Sequence, residues 1–364
     1  MWYGDPATDN KYIHWDHVLV PHWDPKIAAS HAQGRHTPPE DIASSFYPEL
    51  GPYSSRDPKV LESHMAQIEE AAADDHGEPS EDLVPAVMDA AHRHSIKVAF
   101  HIQPYKGRTD QSMHDNIKYI IDKYVWKAWR LLQIQVQHGA SPASFYVYDS
   151  YLMPAESWAD LLSPKGSHSI RGTPYDGVFL ALIRFDGIYT YFASNGFSFG
   201  SSHQNWKAIK NFCDGNNLLF IPSVGPGYVD TAVRPWNNHN TRNRVNGRYY
   251  DTSLQAALSV RPEIVTITSF NQWHEGTQIE KAVPKKTVTR LYLDYQPNQP
   301  DHYLVLTRQW AENYNKEKDT WLIIYTYFES NGFSLACTTR TGKPSRTSEI
   351  LTICFSGRAL AVRP

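Results

Sequence analysis

The segment 269–276, SFNQWHEG, holds the densest group of chemically capable residues in this 364-residue chain. Glu275 is a carboxyl at the predicted end of a buried strand. Shielding by Trp273 would raise its pKa and suit it to donate a proton near neutral pH. A salt-bridged loop carboxylate is the alternative interpretation. His274 begins like a zinc HExxH motif, but Gln278 takes the second His position, so no zinc protease is predicted.

Short apolar runs, most of them continuous rather than alternating, indicate parallel strands buried on both faces. They are residues 96–105, 144–152, 175–183, 185–192, 218–228 and 264–275. Helices are predicted at 83–94, 202–214 and 252–260, and Asp57 is predicted to cap a helix that starts at Pro58. This alternation predicts an α/β fold, with a (β/α)8 barrel as the leading hypothesis. A doubly wound open sheet is the alternative, although neither GxGxxG nor a P-loop is present.

Polar and aromatic residues recur where these runs end. Functional residues of a barrel lie at the carboxyl ends of its strands, so we predict that these residues share one site. They are His101, Gln103, Tyr105, Tyr148, Asp149, Tyr151, Tyr189, Tyr191, Pro222, Gly225, Tyr228, Asn271, Gln272, His274 and Glu275. The aromatic content of 13% is high. It fits a ring-lined sugar cleft, with a well-packed core as the alternative.

Composition excludes several classes of function. The formal net charge of −3 and the pI of about 6.6 give no basic footprint for nucleic acid. There is no run of 18 apolar residues for a transmembrane helix and no basic segment followed by an apolar run for a signal peptide. The three cysteines lack CxxC spacing, so neither a disulfide framework nor a metal site is predicted. No cofactor is expected.

One segment occurs twice. Residues 188–198 read IYTYFASNGFS and residues 324–334 read IYTYFESNGFS, differing only at Ala193 and Glu329. So short a copy indicates a duplicated coding segment rather than a solenoid repeat. We therefore predict a barrel domain over residues 1–320 and an aberrant, poorly packed tail over residues 321–364.

Residues 1–320 resemble the glycoprotein endo-α-1,2-mannosidases of glycoside hydrolase family 99. The matching stretches are long and collinear. They include WYGDPATDNKYIHWDH, HWDP, GRHTPPEDIASSFYPELGPYSSRDP, KVAFHIQPY, FYVYDSY, FDGIYTYFASNGFSFGSSHQNW, FIPSVGPGYVDTAVRPWNNHNTRNRVNGRYY and ITSFNQWHEGTQIEKAVP.

The resemblance implies a (β/α)8 barrel that releases glucosylated mannose from immature N-glycans with retention, through a 1,2-anhydro sugar. It implies Glu275 as the acid and later base, and it puts Gln272 at the position of the family's first catalytic Glu. The implied substrate-binding residues are His101, Gln103, Tyr105, Tyr148, Asp149, Tyr189, Tyr228, Asn271, Trp273 and His274. The partner is a mannose-containing N-glycan, with no nucleic acid. A Golgi, lumenal type II membrane protein is implied, whose N-terminal anchor is absent from this chain.

The sequence departs from the family at two carboxylates. Gln272 replaces the Glu that deprotonates the sugar's 2-hydroxyl, and an amide cannot take that proton. Gln103 replaces a second Glu in the HIQPY stretch. A glycan-binding protein with impaired catalysis is therefore an alternative function.

The architecture departs as well. The family's first barrel strand precedes Trp2, and a second strand ending in a Trp-Tyr-Pro-Pro motif is absent between Met65 and Gly77. A helix is absent between Ile183 and Phe185. An incomplete barrel is therefore predicted, and an unstable product of aberrant splicing or of a wrong gene model is the third hypothesis.

Overall fold

The computed structural model describes residues 1–72, 74–76, 83–124, 135–136, 139–140, 145–163, 166–167, 185–329 and 351–354. The helices are α1 (Pro6–Asp9), α2 (Pro25–Ala28), α3 (Pro58–Glu70), α4 (Val84–Arg93), α5 (Asp110–Tyr124), α6 (Ala155–Leu162), α7 (Trp206–Gly215), α8 (Arg248–Ser259) and α9 (His302–Glu329). The strands are β1 (Asp74–His76), β2 (Phe100–Ile102), β3 (Gln135–Val136), β4 (Gly139–Ala140), β5 (Phe145–Val147), β6 (Gly187–Tyr189), β7 (Leu219–Ile221), β8 (Ser223–Val224), β9 (Val265–Thr268) and β10 (Leu351–Cys354).

Parallel pairing dominates the described strands. β2 pairs with β5 and β6 pairs with β7, while β1, β10, β9 and β8 form a four-stranded parallel sheet in that order. Only the short pair β3–β4 is antiparallel among these strands. Helices separate most of the parallel strands along the chain, so the predicted α/β class is confirmed.

The predicted strands are correct in place but too long. β2 covers Phe100–Ile102 of the predicted run 96–105, and β9 covers only the start of the run 264–275. The rest of the latter run becomes loop and a 3-10 turn at Trp273–Glu275, because the chain leaves the hydrogen-bonded ladder where polar residues begin. The predicted run 175–183 lies outside the described residues. Most of the interval from Ile183 to Phe185, where a helix is predicted to be absent, also lies outside them.

Capping chemistry sets the helix starts. The Asp57 carboxylate accepts from the Lys59 N–H at 2.8 Å, and Pro58 occupies the first turn of α3, as predicted. α4 matches its predicted span closely, and α7 follows a 3-10 turn at His203–Asn205. α8 begins at Arg248 rather than at the predicted residue 252. Gly247, immediately before Arg248, has a φ of +95° and turns the chain into the helix there.

The first 57 residues are ordered by aromatic contacts more than by regular structure. The rings of Tyr3 and Trp15 stack with centroids 4.0 Å apart, and both residues are fully buried. The Trp15 indole N–H donates to the Tyr53 carbonyl at 2.8 Å. Residues 1–57 therefore form mostly loops, with the two short helices α1 and α2 as their regular structure.

One local prediction differs from the structure. No strand is predicted between Met65 and Gly77, yet Asp74–His76 form β1, which pairs with β10 (Leu351–Cys354) of the tail. β10 in turn pairs with β9. Each added strand satisfies backbone groups that the edge of its neighbour would otherwise leave unpaired.

The proposed boundary at residue 320 falls inside α9, which continues to Glu329. Most of the tail lies outside the described residues, so its poor packing stays a prediction. In the part of the chain that the structure describes, no helix has the length and apolar content needed to cross a membrane.

We expect Trp206→Ala to lower the free energy of unfolding by about 3–5 kcal/mol. The Trp206 side chain on α7 is fully buried, so its removal leaves a cavity. Denaturant unfolding followed by circular dichroism measures the change. Phe212→Ala on the same helix is the matched control, because this ring is 56% exposed, and it should change stability by only about 0.5 kcal/mol. Equal losses in both variants would contradict the packing of α7.

Candidate active site

A cleft of about 300 Å³ opens at the carboxyl ends of the parallel strands. Gln103 follows β2, Tyr148 follows β5, Tyr191 follows β6, Tyr228 follows β8 and Glu275 follows β9. The complete lining is Met1, Gln103, Tyr148, Tyr191, Phe192, Ala193, Ser194, Phe197, Tyr228, Arg234, Thr268, Gln272, Glu275 and Thr277. Five strands therefore contribute to one concave surface, as expected for a barrel-type site.

Glu275 is the carboxylate of the cleft. Its side chain is 24% exposed, and its Oε1 lies 3.8 Å from Nη1 of Arg234. Burial raises the pKa of Glu275, the Arg234 guanidinium opposes that rise, and the nearby Asp230 carboxylate adds to it. From the sequence, Trp273 is expected to shield this carboxyl from solvent. The Trp273 indole instead lies in the core, against Trp15 and Glu280.

The fully buried Asp230 organises this side of the cleft. Its carboxylate accepts from the Tyr228 hydroxyl at 2.9 Å, from Nη1 of Arg234 at 3.0 Å and from Nδ2 of Asn237 at 2.9 Å. Asp230 thereby fixes both a phenol and a guanidinium beside Glu275. Sequence reasoning missed Asp230 and Arg234, although their opposite charges at i and i+4 are a recognisable pairing signal.

Gln272 lies in the same cleft and is only 5% exposed. Its backbone N–H donates to the Ser269 hydroxyl at 2.8 Å, which fixes the turn. Among the described residues its buried Oε1 has no hydrogen-bond partner. A buried amide oxygen without a donor is costly, so a hydroxyl of a bound molecule would satisfy it.

Aromatic rings form the opposite wall. Tyr148 and Tyr191 lie with ring centroids 4.6 Å apart, and His101 stacks on Tyr191 at 5.6 Å. Behind this wall, Nε2 of Gln103 donates to Nδ1 of His101 at 2.9 Å, and Nε2 of His101 lies 2.6 Å from the Tyr189 hydroxyl. Burial lowers the pKa of His101 to about 4, so the ring is neutral and positions Gln103 rather than carrying charge.

Three predicted site residues on the loop after β9 do not line the cleft. Asn271 bonds to the backbone of Met1, and His274 bonds through Nε2 to the His14 carbonyl at 2.9 Å. Burial lowers the pKa of His274 to about 3. Trp273 is fully buried. These residues anchor the loop that carries Gln272 and Glu275.

The other predicted residues outside the lining are His101, Tyr105, Asp149, Tyr151, Tyr189, Pro222 and Gly225. The Tyr105 hydroxyl bonds to Ser112 and Asn116 at the start of α5. Asp149 gives its carbonyl to Arg108 and has a φ of +49°, and Tyr189 pairs with His101. Their contacts support the strand ends from which Gln103 and Tyr148 project.

A second buried carboxylate, which sequence reasoning missed, holds the loop that carries Gln272 and Glu275. Glu280 is fully buried and accepts from the Tyr53 hydroxyl at 2.8 Å, from Nε1 of Trp273 at 2.9 Å and from Nε2 of His64 at 3.1 Å. Because Tyr53 and His64 are far from Glu280 in the sequence, no local sequence pattern predicts these contacts. No group of His, Cys, Asp and Glu that could hold a metal occurs among the described residues.

Gly225 lets two loops meet beneath the cleft. A Cβ at this position would lie 2.4 Å from the Ala193 Cβ and 2.4 Å from the Thr268 carbonyl oxygen. Only a glycine permits such a close approach, which brings two lining segments together.

Glu275→Gln should become more stable relative to the wild type as pH rises. Burial raises the folded-state pKa of Glu275 above its ordinary value of 4.5, so the protonated acid stabilises the fold. That contribution is complete below pH 4.5 and is lost as pH rises through the raised pKa. Thermal unfolding of both proteins between about pH 4 and 8 measures the difference. Phe212→Ala changes no titratable group and serves as the control, and a difference of the opposite sign would refute the assignment.

Comparisons with known proteins identify the family of this chain. The model of glycosyl hydrolase family 99 matches residues 1–316. A glycoprotein endo-alpha-1,2-mannosidase-like protein of Danio rerio is 71% identical over 348 residues, covering 89% of this chain and 78% of the relative. The protein of the same description from Homo sapiens is 66% identical over 347 residues, covering 88% and 76%.

A solved structure supports the same assignment. The GH99 endo-alpha-mannosidase from Bacteroides thetaiotaomicron superposes with a TM-score of 0.79 at 40% identity, covering 87% of this chain and 96% of that chain. The resemblance seen in the sequence is confirmed, and the chain belongs to glycosyl hydrolase family 99.

Proposed function

We propose that this chain binds the mannose-containing arm of immature N-glycans in the cleft and cleaves it as a slow, retaining endo-α-1,2-mannosidase. The supporting observation is that one cleft holds both Glu275, whose pKa is raised by burial, and the Gln272 amide oxygen, which has no partner among the described residues. A protonated carboxyl can protonate a glycosidic oxygen, and an amide oxygen can accept a sugar hydroxyl.

The proposed reaction has two steps. The substrate's 2-hydroxyl oxygen attacks C1 and forms a C1–O2 bond, while the bond from C1 to the leaving oxygen breaks and Glu275 gives that oxygen its proton. The proton of the 2-hydroxyl passes to water, because the amide of Gln272 cannot accept it. Glu275, now ionised, deprotonates a second water, whose oxygen attacks C1 and breaks the C1–O2 bond, while O2 takes a proton from solvent. Two inversions at C1 retain the configuration.

Gln272 limits the first step. Its amide can orient the 2-hydroxyl but cannot remove the proton, and lost general-base assistance costs about 10²–10⁴ in rate. Gln103 is the second amide at a position where the family has a Glu, so the cleft also lacks that negative charge. The Gln103 amide instead donates an N–H to Nδ1 of His101. The N-glycan substrate is also the reason to propose a Golgi lumenal location with a type II membrane anchor.

We expect Gln272→Glu to raise the rate of release of glucosyl-mannose from a glucosylated oligomannose N-glycan by about 10²-fold or more. The new carboxylate supplies the missing base, and Glu275 still supplies the acid. Release of the disaccharide is followed by chromatography for the wild type, Gln272→Glu and Gln272→Glu/Glu275→Gln.

Two results would contradict this mechanism. Wild-type turnover that survives Glu275→Gln would remove Glu275 from the reaction. A folded Gln272→Glu protein without any gain would instead favour the predicted incomplete barrel as the cause of inactivity.

A second candidate is glycan binding without hydrolysis, which the two amides at Gln103 and Gln272 favour, since each is nearly isosteric with the family's carboxylate. Calorimetry with α-1,2-mannobiose separates binding from turnover. Under both candidates Tyr228→Ala should weaken this affinity about tenfold, because the phenol lines the cleft beside Arg234. Phe199→Ala is the control, because that ring is 68% exposed and outside the lining. Unchanged affinity in folded Tyr228→Ala would exclude Tyr228 from the sugar site.

A further inference from the structure

Three aromatic side chains form a surface cluster outside the cleft, which we call the platform: His22, Trp23 and Trp236. The His22 and Trp23 rings lie 3.8 Å apart at 31°, and Trp236 meets them edge-on at 4.9 Å and 5.4 Å. Trp23 is nevertheless 80% exposed, more than any other described aromatic residue among the large exposed apolar side chains. An indole held in place with its surface open to solvent is typical of a binding site.

The local backbone holds the platform rigid. Pro21 and Pro25 flank it, and each fixes its own φ. The Asp24 N–H donates to Nδ1 of His22 at 3.0 Å, and the Asp24 carboxylate caps α2 through the Lys26 N–H at 2.8 Å. A ligand would therefore find the rings already ordered, and little conformational entropy would be lost on binding.

The platform also presents hydrogen-bond donors. Since Nδ1 of His22 accepts a backbone N–H, the neutral ring carries its proton on Nε2, and no described residue accepts from that atom. The indole N–H of Trp23 likewise has no acceptor among the described residues. A ring face combined with free N–H donors matches a pyranose, which offers a C–H face edged by hydroxyl oxygens. A purely apolar protein contact would leave both donors unsatisfied.

The platform is linked to the cleft through the segment 233–236. The Val20 N–H donates to the Val233 carbonyl at 2.8 Å, and the Trp236 indole donates to the Val20 carbonyl at 2.9 Å. Arg234, which faces Glu275, lies two residues before Trp236, so their Cα atoms are at most about 7 Å apart. A chain of sugars that leaves the cleft past Arg234 would meet the platform next.

We propose that the platform is a second glycan contact, where the Trp23 indole stacks on a mannose residue of the N-glycan beyond the residues held in the cleft. The inference rests on the proposed function, because it assumes that the cleft binds the same glycan. It adds a site that selects extended glycans over short ones.

The test compares two ligands by calorimetry: α-1,2-mannobiose, which can fill the cleft only, and a free oligomannose N-glycan. Trp23→Ala should weaken the affinity for the N-glycan about tenfold and leave the affinity for mannobiose unchanged. Trp23→Phe should retain most of the affinity, because the ring remains. Phe212→Ala, with another exposed ring on α7, should alter neither value.

Each remaining outcome is decisive. Equal N-glycan affinity in the wild type and Trp23→Ala would overturn the platform while leaving the proposed function intact. An N-glycan that binds through Trp23 without any mannobiose binding would support the platform and refute the proposed function. Binding of neither ligand would refute both. Loss of self-association in Trp23→Ala, with unchanged glycan affinity, would make the platform a protein contact and overturn the inference.

Discussion

The buried carboxylate of Glu280 joins three parts of the chain that are far apart in sequence. It accepts from Tyr53 in the N-terminal loops, from His64 on α3 and from Trp273 in the loop after β9. A charge taken out of water must be fully hydrogen-bonded, so each partner is fixed in position by the cost of leaving the carboxylate unpaired. Because Trp273 lies between Gln272 and Glu275 in the loop, this one interaction sets where the chemical groups of the cleft can be.

A second buried carboxylate, beside the cleft, has a different role. Asp230 bonds to Tyr228, Arg234 and Asn237, and so it holds a guanidinium beside Glu275 without reaching the lining itself. The pKa of Glu275 is then a balance, in which burial raises it and Arg234 opposes the rise. A carboxyl poised in this way can exist as acid or as base, which is what a retaining glycosidase needs from one residue in successive steps.

The sequence predicted which loops form the cleft more reliably than which of their side chains line it. Gln103, Tyr148, Tyr228, Gln272 and Glu275 lie in the cleft as predicted from their place at strand ends. Asn271, Trp273 and His274 belong to the same loop but point into the protein, because a tight turn alternates its side chains between the core and the cleft. The pattern of residue types does not encode which of these neighbours faces which side.

The duplicated segment shows how far sequence alone determines this protein. The sequence of the whole chain predicted the family, the α/β class, the Asp57 cap and the strand ends that carry the candidate site. These features depend on local chemistry and on the order of apolar runs. Yet Ile188 and Tyr189 lie in strand β6, whereas the identical residues 324 and 325 lie in helix α9. The first copy is extended because β7 supplies backbone partners, and the second continues a helix already begun at His302. Tertiary structure decided between the two copies. Parallel strand pairing joins residues that are far apart along the chain, as do the contacts of Glu280 with Tyr53 and His64, and no local sequence pattern records such pairings.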